Sequence, residues 1–167
     1  MARKDATMFI LDMGSSMSSF IKSNNHEKRT TRFNLGQQMC LSLLSEKLLF
    51  ASKEHVGFLC VGSNETDNIC HETLEGYEHI SVLFPISTNS KETIRQIEKV
   101  GVNSTLHGDY VDALIVAMEM LTLFVQTRKW NKRIVFVTDG ASKIAHIEDL
   151  GQVVQALCTQ GIAVDIM

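Results

Sequence analysis

The chain has 167 residues, of which 44% are hydrophobic and 21% are charged, and its formal net charge at pH 7 is −3. This length and composition exclude a disordered chain and predict one globular domain with a sizeable core. The acidic balance also argues against tight nucleic-acid binding by this chain alone, because free-standing nucleic-acid binders usually carry a basic excess.

In chain order, the first half of the sequence predicts a buried strand at residues 6–12, a surface loop at 15–32, a helix at 33–50, a strand at 55–62, a loop or short hairpin at 63–77, and a strand at 79–84. The only proline, Pro85, closes that last strand. The second half predicts helices at 90–99, 110–125 and 144–160, a strand at 131–139 and a final strand from 162.

Strands that alternate with helices predict right-handed crossovers and a mostly parallel sheet covered on both faces, the doubly wound α/β class. We expect residues 1–167 to form a single domain. Because the chain ends in a strand at residues 162–167, we also expect this domain to be excised from a longer protein.

The four cysteines contain no Cys-x-x-Cys pair, and most of them lie in apolar surroundings. This pattern predicts reduced, mostly buried thiols in an intracellular protein rather than a zinc site. No apolar run has the length of a signal peptide or a membrane span, so we expect no membrane partner.

The first strand ends in Asp12-Met13-Gly14-Ser15-Ser16, one residue away from the Asp-x-Ser-x-Ser turn that holds magnesium-type ions. A second predicted strand ends in Asp139, and Thr105 lies in a possible hydroxyl-bearing loop between the two. Ligands of open α/β sheets bind beyond the carboxyl ends of the strands, where these groups would meet.

This arrangement resembles the von Willebrand factor A domains over nearly the whole chain. The resemblance implies a metal site formed by Asp12, Ser16, Thr105 and Asp139, but Gly14 lacks the middle hydroxyl. Losing a ligand weakens binding of an ion that dehydrates reluctantly. We therefore favour a structural turn in which the two acids form local hydrogen bonds, and we expect no cofactor.

A closer resemblance lies in residues 108–119, Gly-Asp-Tyr-Val-Asp-Ala-Leu-Ile-Val-Ala-Met-Glu, together with the Thr66-Asp67-Asn68 loop and Tyr77 before a strand. These features resemble the N-terminal domain of the larger subunit of Ku, the heterodimer that binds broken DNA ends. In that family the metal-binding turn is also degraded, so the resemblance implies a domain that acts through proteins rather than through an ion.

The resemblance implies a groove for short peptides that combine basic and apolar residues. Asp109 and Asp112 share one face near the start of the predicted helix at 110–125, and Ile115 and Glu119 continue that face. The opposite wall would be formed by Tyr77, Ile69 and Cys70. From the residues alone, a simpler alternative is that Asp109 caps the helix, Asp112 assists it and Ile115 belongs to the core.

The sequence carries no phosphate-binding Gly-rich loop, no dinucleotide fingerprint and no Gly-x-Ser-x-Gly elbow, so we expect no enzymatic activity. The resemblance implies a nuclear scaffold in non-homologous end joining and at telomeres. Its implied partners are the smaller Ku subunit, end-joining accessory factors, and DNA ends only in the full heterodimer. The alternatives are an A domain that binds a protein ligand through a divalent metal and a structural subunit of another nuclear repair or transcription complex.

Overall fold

The computed structural model describes residues 4–21, 29–50, 54–102, 106–142 and 144–167. In chain order its elements are β1 Asp5–Asp12, α1 Arg32–Phe50, β2 His55–Val61, α2 Ile69–Thr73, β3 Ile80–Thr88, α3 Lys91–Glu98, α4 Tyr110–Val125, β4 Asn131–Val137, α5 Leu150–Gln160 and β5 Ile162–Ile166. Two short 3-10 helices lie at Ser15–Ser18 and Ile147–Asp149.

The strands form one sheet in the order β3-β2-β1-β4-β5. Neighbouring strands run parallel except β2 and β3, which pair antiparallel at one edge. Because β1 is central and paired on both sides, it is buried almost throughout and reads as a continuous apolar run. The predicted doubly wound, mostly parallel α/β fold is confirmed.

The core consists of two apolar clusters, one on each face of the sheet. In β1, Met8 and Ile10 belong to the cluster beneath α4 and α5, whereas Phe9 and Leu11 belong to the cluster beneath α1 and α3. This alternation follows from the two-residue period of a strand. The sheet therefore separates the helices into two layers and leaves its carboxyl edge open between them.

The prediction that Pro85 ends the third strand is wrong, because β3 continues to Thr88. The strand lies at the edge of the sheet, and edge strands and bulges are the positions in a sheet that accept proline. The pairing register with β2 also shifts between Val56 and Phe58, which is the kind of irregularity that accommodates proline.

The helix predicted from residue 144 begins later, at Leu150, after the 3-10 turn Ile147–Asp149. The prediction for 90–99 is confirmed in detail, because Ser90 caps α3 and forms a reciprocal capping box with Thr93. Much of the loop predicted at residues 15–32 lies outside the described residues.

The prediction of mostly buried free thiols is confirmed, since Cys40, Cys60 and Cys70 are buried and Cys158 is exposed. Burial raises the pKa of both Cys40 and Cys60 to about 12. Among the described residues, no helix combines the length and the apolar character that crossing a membrane requires.

Candidate functional site

The carboxyl edge of the sheet is organised around Asp12, whose side chain is almost fully buried at the end of β1. One carboxylate oxygen accepts a hydrogen bond from the Gly14 N–H at 2.7 Å. The other accepts one from the Tyr110 hydroxyl at 2.5 Å and lies 2.8 Å from the Thr138 hydroxyl oxygen. Asp12 is thus satisfied by groups of the protein from three separate elements.

Tyr110 extends this network, because its hydroxyl oxygen also lies 2.8 Å from the Thr138 hydroxyl and accepts a hydrogen bond from the Ser142 N–H at 3.2 Å. The ring packs edge-on against Phe136 with centroids 5.2 Å apart. Burial, followed by the carboxylate of Asp12, raises the pKa of Tyr110, so its hydroxyl keeps its proton and donates it.

Asp139 is held in a similar way by cationic and neutral donors. One oxygen accepts a hydrogen bond from the Arg32 guanidinium at 2.6 Å, and the other accepts from the Ser16 hydroxyl at 3.1 Å and the Ala141 N–H at 3.0 Å. Burial alone would raise the pKa of Asp139, but these donors, with Arg32 the strongest, lower it below its usual value.

These contacts test whether the residues fit a divalent ion. Asp12, Ser16 and Asp139 do lie at one edge, as predicted, but both acids already have protein donors on both of their oxygens. A side chain at Gly14 would place its Cβ only 3.0 Å from the Asp12 carboxylate. The described groups therefore fit a hydrogen-bonded turn better than a metal site, and Thr105 lies outside the described residues.

No cluster of three or more potential metal ligands is present in the parts of the chain that the structure describes. One buried polar atom at this edge, the Ser142 hydroxyl, has no hydrogen-bond partner there. It lies 3.3 Å from the Cβ position that a side chain at Gly14 would occupy.

The second candidate region begins at the N-terminus of α4, where Asp109 is the capping residue. One of its carboxylate oxygens accepts from the Val111 N–H at 2.7 Å, and the other accepts from the Ala145 N–H at 2.6 Å. The capping role predicted from the residues alone is confirmed for Asp109. The same side chain ties the segment before α5 to the start of α4.

Asp112, one turn further along α4, is half-buried. Burial is the largest cause that raises the pKa of its carboxyl group, and the charge of Asp109 adds to the effect. His146 lowers this pKa and Asp149 raises it. The side chain therefore lies in a predominantly negative environment.

Tyr77 and Cys70 lie beside Asp112. Burial raises the pKa of both side chains, and the negative charge of Asp112 raises both further. The charge of the exposed Glu119 also raises the pKa of Cys70, and helical spacing puts Glu119 on the same face of α4 as Asp112 and Ile115. Tyr77 has a positive φ of 58°, and its carbonyl accepts a hydrogen bond from the Asn68 side chain at 3.1 Å, which fixes the turn before β3.

Ile115 is half-buried and packs on the same apolar cluster as Tyr77. Ile69 is in a different position: it lines an adjacent apolar groove of about 430 Å³ with Met120, Leu123 and Phe124. The structure thus brings together Cys70, Tyr77, Asp112, Ile115 and Glu119, which we call the α4 acidic surface, and places Ile69 beside it rather than within it.

Sequence reasoning missed the segment 144–149 as a wall of this surface, because it assigned these residues to the following helix. The charge of Asp149 adds to the burial and the other charges that raise the pKa of Tyr77 and Asp112, so it acts on the α4 acidic surface. Ile147 lies between His146 and Glu148 in this turn and is 62% exposed. An isoleucine followed directly by two acids, Glu148 and Asp149, is the signal that was available in the sequence.

Tyr110, Arg32 and Thr138 were also missed at the carboxyl edge. Tyr110 begins a mostly apolar segment with a strong helical period, and Arg32 is the last residue of the surface loop predicted at 15–32. Their polar groups reach the two acids over sequence separations of 98, 107 and 126 residues. These groups meet only when the folded chain brings α1 and α4 to the carboxyl ends of β1 and β4.

Comparison with protein families places residues 6–162 in the family described as the Ku70/Ku80 N-terminal alpha/beta domain. The chain is 34% identical over 88% of its length to X-ray repair cross-complementing protein 5 of Dictyostelium discoideum and 30% identical over its whole length to ATP-dependent DNA helicase II subunit 2 of Yarrowia lipolytica. It is 29% identical over 84% of its length to ATP-dependent DNA helicase 2 subunit KU80 of Oryza sativa. It spans 18%, 23% and 19% of these proteins respectively.

Solved structures share the fold at low sequence identity. The conserved hypothetical protein BatB of Bacteroides thetaiotaomicron matches with a TM-score of 0.67 and 15% identity over 97% of this chain and 65% of BatB. Proximal thread matrix protein 1 of the mussel byssus matches with a TM-score of 0.67 and 14% identity over 98% of this chain and 37% of that protein. These similarities show the fold alone. From its family match, the chain belongs to the Ku70/Ku80 N-terminal alpha/beta domains, as its resemblance to the N-terminal domain of the larger Ku subunit predicted.

Proposed function

We propose that this chain is a non-catalytic protein-interaction domain of a Ku large subunit. It recruits end-joining factors by binding short basic and apolar peptides on the α4 acidic surface. In this proposal it acts in the nucleus, in double-strand break repair by non-homologous end joining, next to the smaller Ku subunit. DNA ends are bound by the full heterodimer.

The observation that carries the proposal is the negative environment around a half-buried apolar floor. Burial raises the pKa of Asp112 most, the charges of Asp109 and Asp149 raise it further against the opposing effect of His146, and Tyr77 and Ile115 pack on the core. Removing an acid from water among other acids costs stability, and a bound cation would offset that cost. An arginine or lysine of a peptide supplies such a cation, with charge-assisted hydrogen bonds to the carboxylate.

The apolar part of the peptide has its own partners on this surface. Tyr77 and Ile115 each keep part of the side chain accessible while packing on the core. The exposed Ile147 lies two residues before Asp149, whose charge contributes to the raised pKa of Tyr77. Peptide recognition typically combines such apolar contacts for affinity with charges for orientation and association rate.

The proposal that the domain is non-catalytic rests on the sequence, which lacks the phosphate-binding and dinucleotide-binding motifs named above. The relatives named as DNA helicase subunits are about five times longer than the matched segment. The printed names of those whole proteins therefore do not assign an activity to this domain.

The alternative of metal-mediated ligand binding has less support. It would require Asp12 and Asp139 to release Tyr110 and Arg32, both of which contact them closely. The two mechanisms differ in their response to a chelator and to substitution of Asp112.

Calorimetric titration of the 167-residue chain with a synthetic peptide that joins basic residues to an apolar segment tests the proposal. We expect Asp112→Asn to weaken binding by about tenfold, the effect of losing one charge-assisted contact worth about 1.4 kcal/mol. A chelator should leave binding unchanged.

The same variant gives a stability readout that separates binding from folding. The folded-state pKa of Asp112 is raised, so its ionised form costs stability, and this cost grows as pH rises through the folded pKa. Asp112→Asn should therefore keep or raise the melting temperature at pH 7 while it weakens binding. Glu98→Gln, an exposed acid at the end of α3, is the matched control. Equal binding by all three proteins, or binding abolished by the chelator, would contradict the proposal.

A further inference from the structure

The turn that carries Tyr77 to the α4 acidic surface has an unfavourable backbone conformation. Between α2 and β3, Gly76, Tyr77 and His79 have positive φ values of 98°, 58° and 60°. Among the described residues, Gln126 is the one other non-glycine residue with a positive φ. Residues with a side chain rarely adopt this conformation, and it costs free energy unless the surrounding structure holds it. Contacts from outside the turn are therefore needed to keep Tyr77 in place.

The segment Thr66-Asp67-Asn68, which the sequence singled out, supplies these contacts. The Thr66 hydroxyl oxygen accepts a hydrogen bond from the His79 N–H at 2.9 Å. The Asp67 N–H donates to the Ile80 carbonyl at 3.0 Å, so the segment pairs with the start of β3. The turn is thus tied at its end to a segment that precedes α2.

Asn68 has the central position among these contacts, and it is only 3% exposed. Its amide nitrogen donates to the Tyr77 carbonyl at 3.1 Å and to the Ile80 carbonyl at 2.9 Å. Its amide oxygen accepts from the His71 N–H at 2.9 Å and so caps α2. One buried amide therefore joins α2, which carries Cys70, to the turn that carries Tyr77.

The two ends of the Asn68 amide have different tasks. The oxygen fixes the start of α2, and an aspartate at position 68 would keep this cap, because Asp and Asn cap helices about equally well. The nitrogen faces two carbonyl oxygens, which accept hydrogen bonds but cannot donate them. A carboxylate oxygen in its place would be repelled by both carbonyls, so the turn alone would lose its support.

We propose that Asn68 is a positioning residue for the peptide site, whose amide nitrogen holds the Tyr77 backbone in the conformation that packs the ring beside Ile115. This role rests on the proposed function, because a peptide must bind the α4 acidic surface for Tyr77 to contact it. Asn68 is buried and acts through Tyr77. Without this support the turn samples other conformations, and the apparent affinity falls in proportion to the fraction that stays competent.

Calorimetric titration with the synthetic peptide that joins basic residues to an apolar segment compares Asn68→Asp with the unsubstituted 167-residue chain. We expect affinity to fall by about tenfold, which corresponds to a turn that holds Tyr77 correctly for about a tenth of the time. Melting curves followed by circular dichroism set a titration temperature at which every variant is folded.

Tyr77→Ala separates positioning from a general loss of structure. Alone, it should weaken peptide binding by about tenfold, because it removes an aromatic contact. Adding Asn68→Asp to Tyr77→Ala should then lower affinity by less than about twofold, because no ring remains to be positioned. Should Asn68→Asp fail to fold, Thr66→Val removes the acceptor of the His79 N–H instead and should weaken binding by about threefold, again only when Tyr77 is present.

Asn89→Asp is the matched control on the other face of the sheet. Asn89 is 5% exposed, its amide nitrogen donates to the Leu44 carbonyl at 2.7 Å, and its amide oxygen accepts from the Thr93 hydroxyl at 3.0 Å. The substitution makes the same chemical change at a buried amide. It should lower the melting temperature but keep peptide affinity within about twofold, because the site is remote from α4.

The outcomes distinguish the positioning role from the proposed function. Unchanged binding by Asn68→Asp, where Tyr77→Ala weakens it, would overturn the positioning role alone. Equal losses from Asn68→Asp with and without the Tyr77 ring, or an equal loss from Asn89→Asp, would also overturn it, because they indicate a general effect on the fold. If Tyr77→Ala and Asp112→Asn both bind the peptide as tightly as the unsubstituted chain, the proposed function itself fails.

Discussion

Replacing Tyr110 with phenylalanine isolates the hydroxyl that links α4 to the ends of β1 and β4. The ring and its edge-on contact with Phe136 remain. The change removes the 2.5 Å hydrogen bond to the buried Asp12 carboxylate and the acceptor of the Ser142 N–H at 3.2 Å. The variant therefore tests polar contacts without creating a large cavity.

The expected cost follows from these two contacts. A hydrogen bond to a charged group contributes about 1.5–3 kcal/mol, and a buried N–H group left without a partner costs about 1–3 kcal/mol. The contacts share one network, so their sum is an upper bound, and we expect a loss of about 2–4 kcal/mol in the free energy of unfolding. In a domain of this size, this loss lowers the melting temperature by about 5–12 °C.

Thermal unfolding followed by circular dichroism measures the shift, and urea unfolding at constant m-value checks that both proteins unfold as the same unit. Tyr77→Phe makes the same chemical change on a half-buried ring and should cost less than about 1 kcal/mol. A melting temperature for Tyr110→Phe within about 2 °C of the unsubstituted chain would refute the claim that protein donors satisfy Asp12.

Two further predictions concern charge and thiol chemistry. Because the pKa of Asp139 is lowered in the folded state, its contribution to stability is present above the unfolded value of 3.8 and is lost as pH falls through the folded value. Arg32→Ala should flatten this loss in melting curves between about pH 5 and 2. At pH 7 the substitution should cost only about 0.5–1 kcal/mol in the free energy of unfolding, because Arg32 is partly exposed. An aromatic disulfide reagent at pH 8 should label Cys158 fastest, while Cys40 and Cys60, with pKa values of about 12, should react only on unfolding. Rapid labelling of either buried thiol in the folded chain would contradict their placement.

The fold was predictable because its signals are local. Each signal depends on residues only a few positions apart in the sequence: the apolar run of β1, the helical period of α4 and the Ser90 cap of α3. The Asp109 cap was predictable for the same reason. By contrast, Pro85 stays in a strand because β3 is an edge strand, and that position is a property of the whole sheet.

The candidate sites were predictable only in part. The helical spacing of Asp112, Ile115 and Glu119 indicated one face of α4, but the contribution of Asp149 depends on how α5 docks. The hydrogen bonds from Tyr110 to Asp12 and from Arg32 to Asp139 depend on contacts between distant segments. A pattern within one sequence does not reveal such contacts, because each of these residues also fits the local helix or loop in which it lies.

The α4 acidic surface and the amino end of the sheet carry opposed charges, because Lys4, Arg128, Lys129 and Lys132 lie near the starts of β1 and β4. The eight residues of β1 separate the acidic and basic ends by about 26 Å at a rise of about 3.3 Å per residue. This distance is about three Debye lengths at physiological ionic strength, so charges bound at one end are screened from the other.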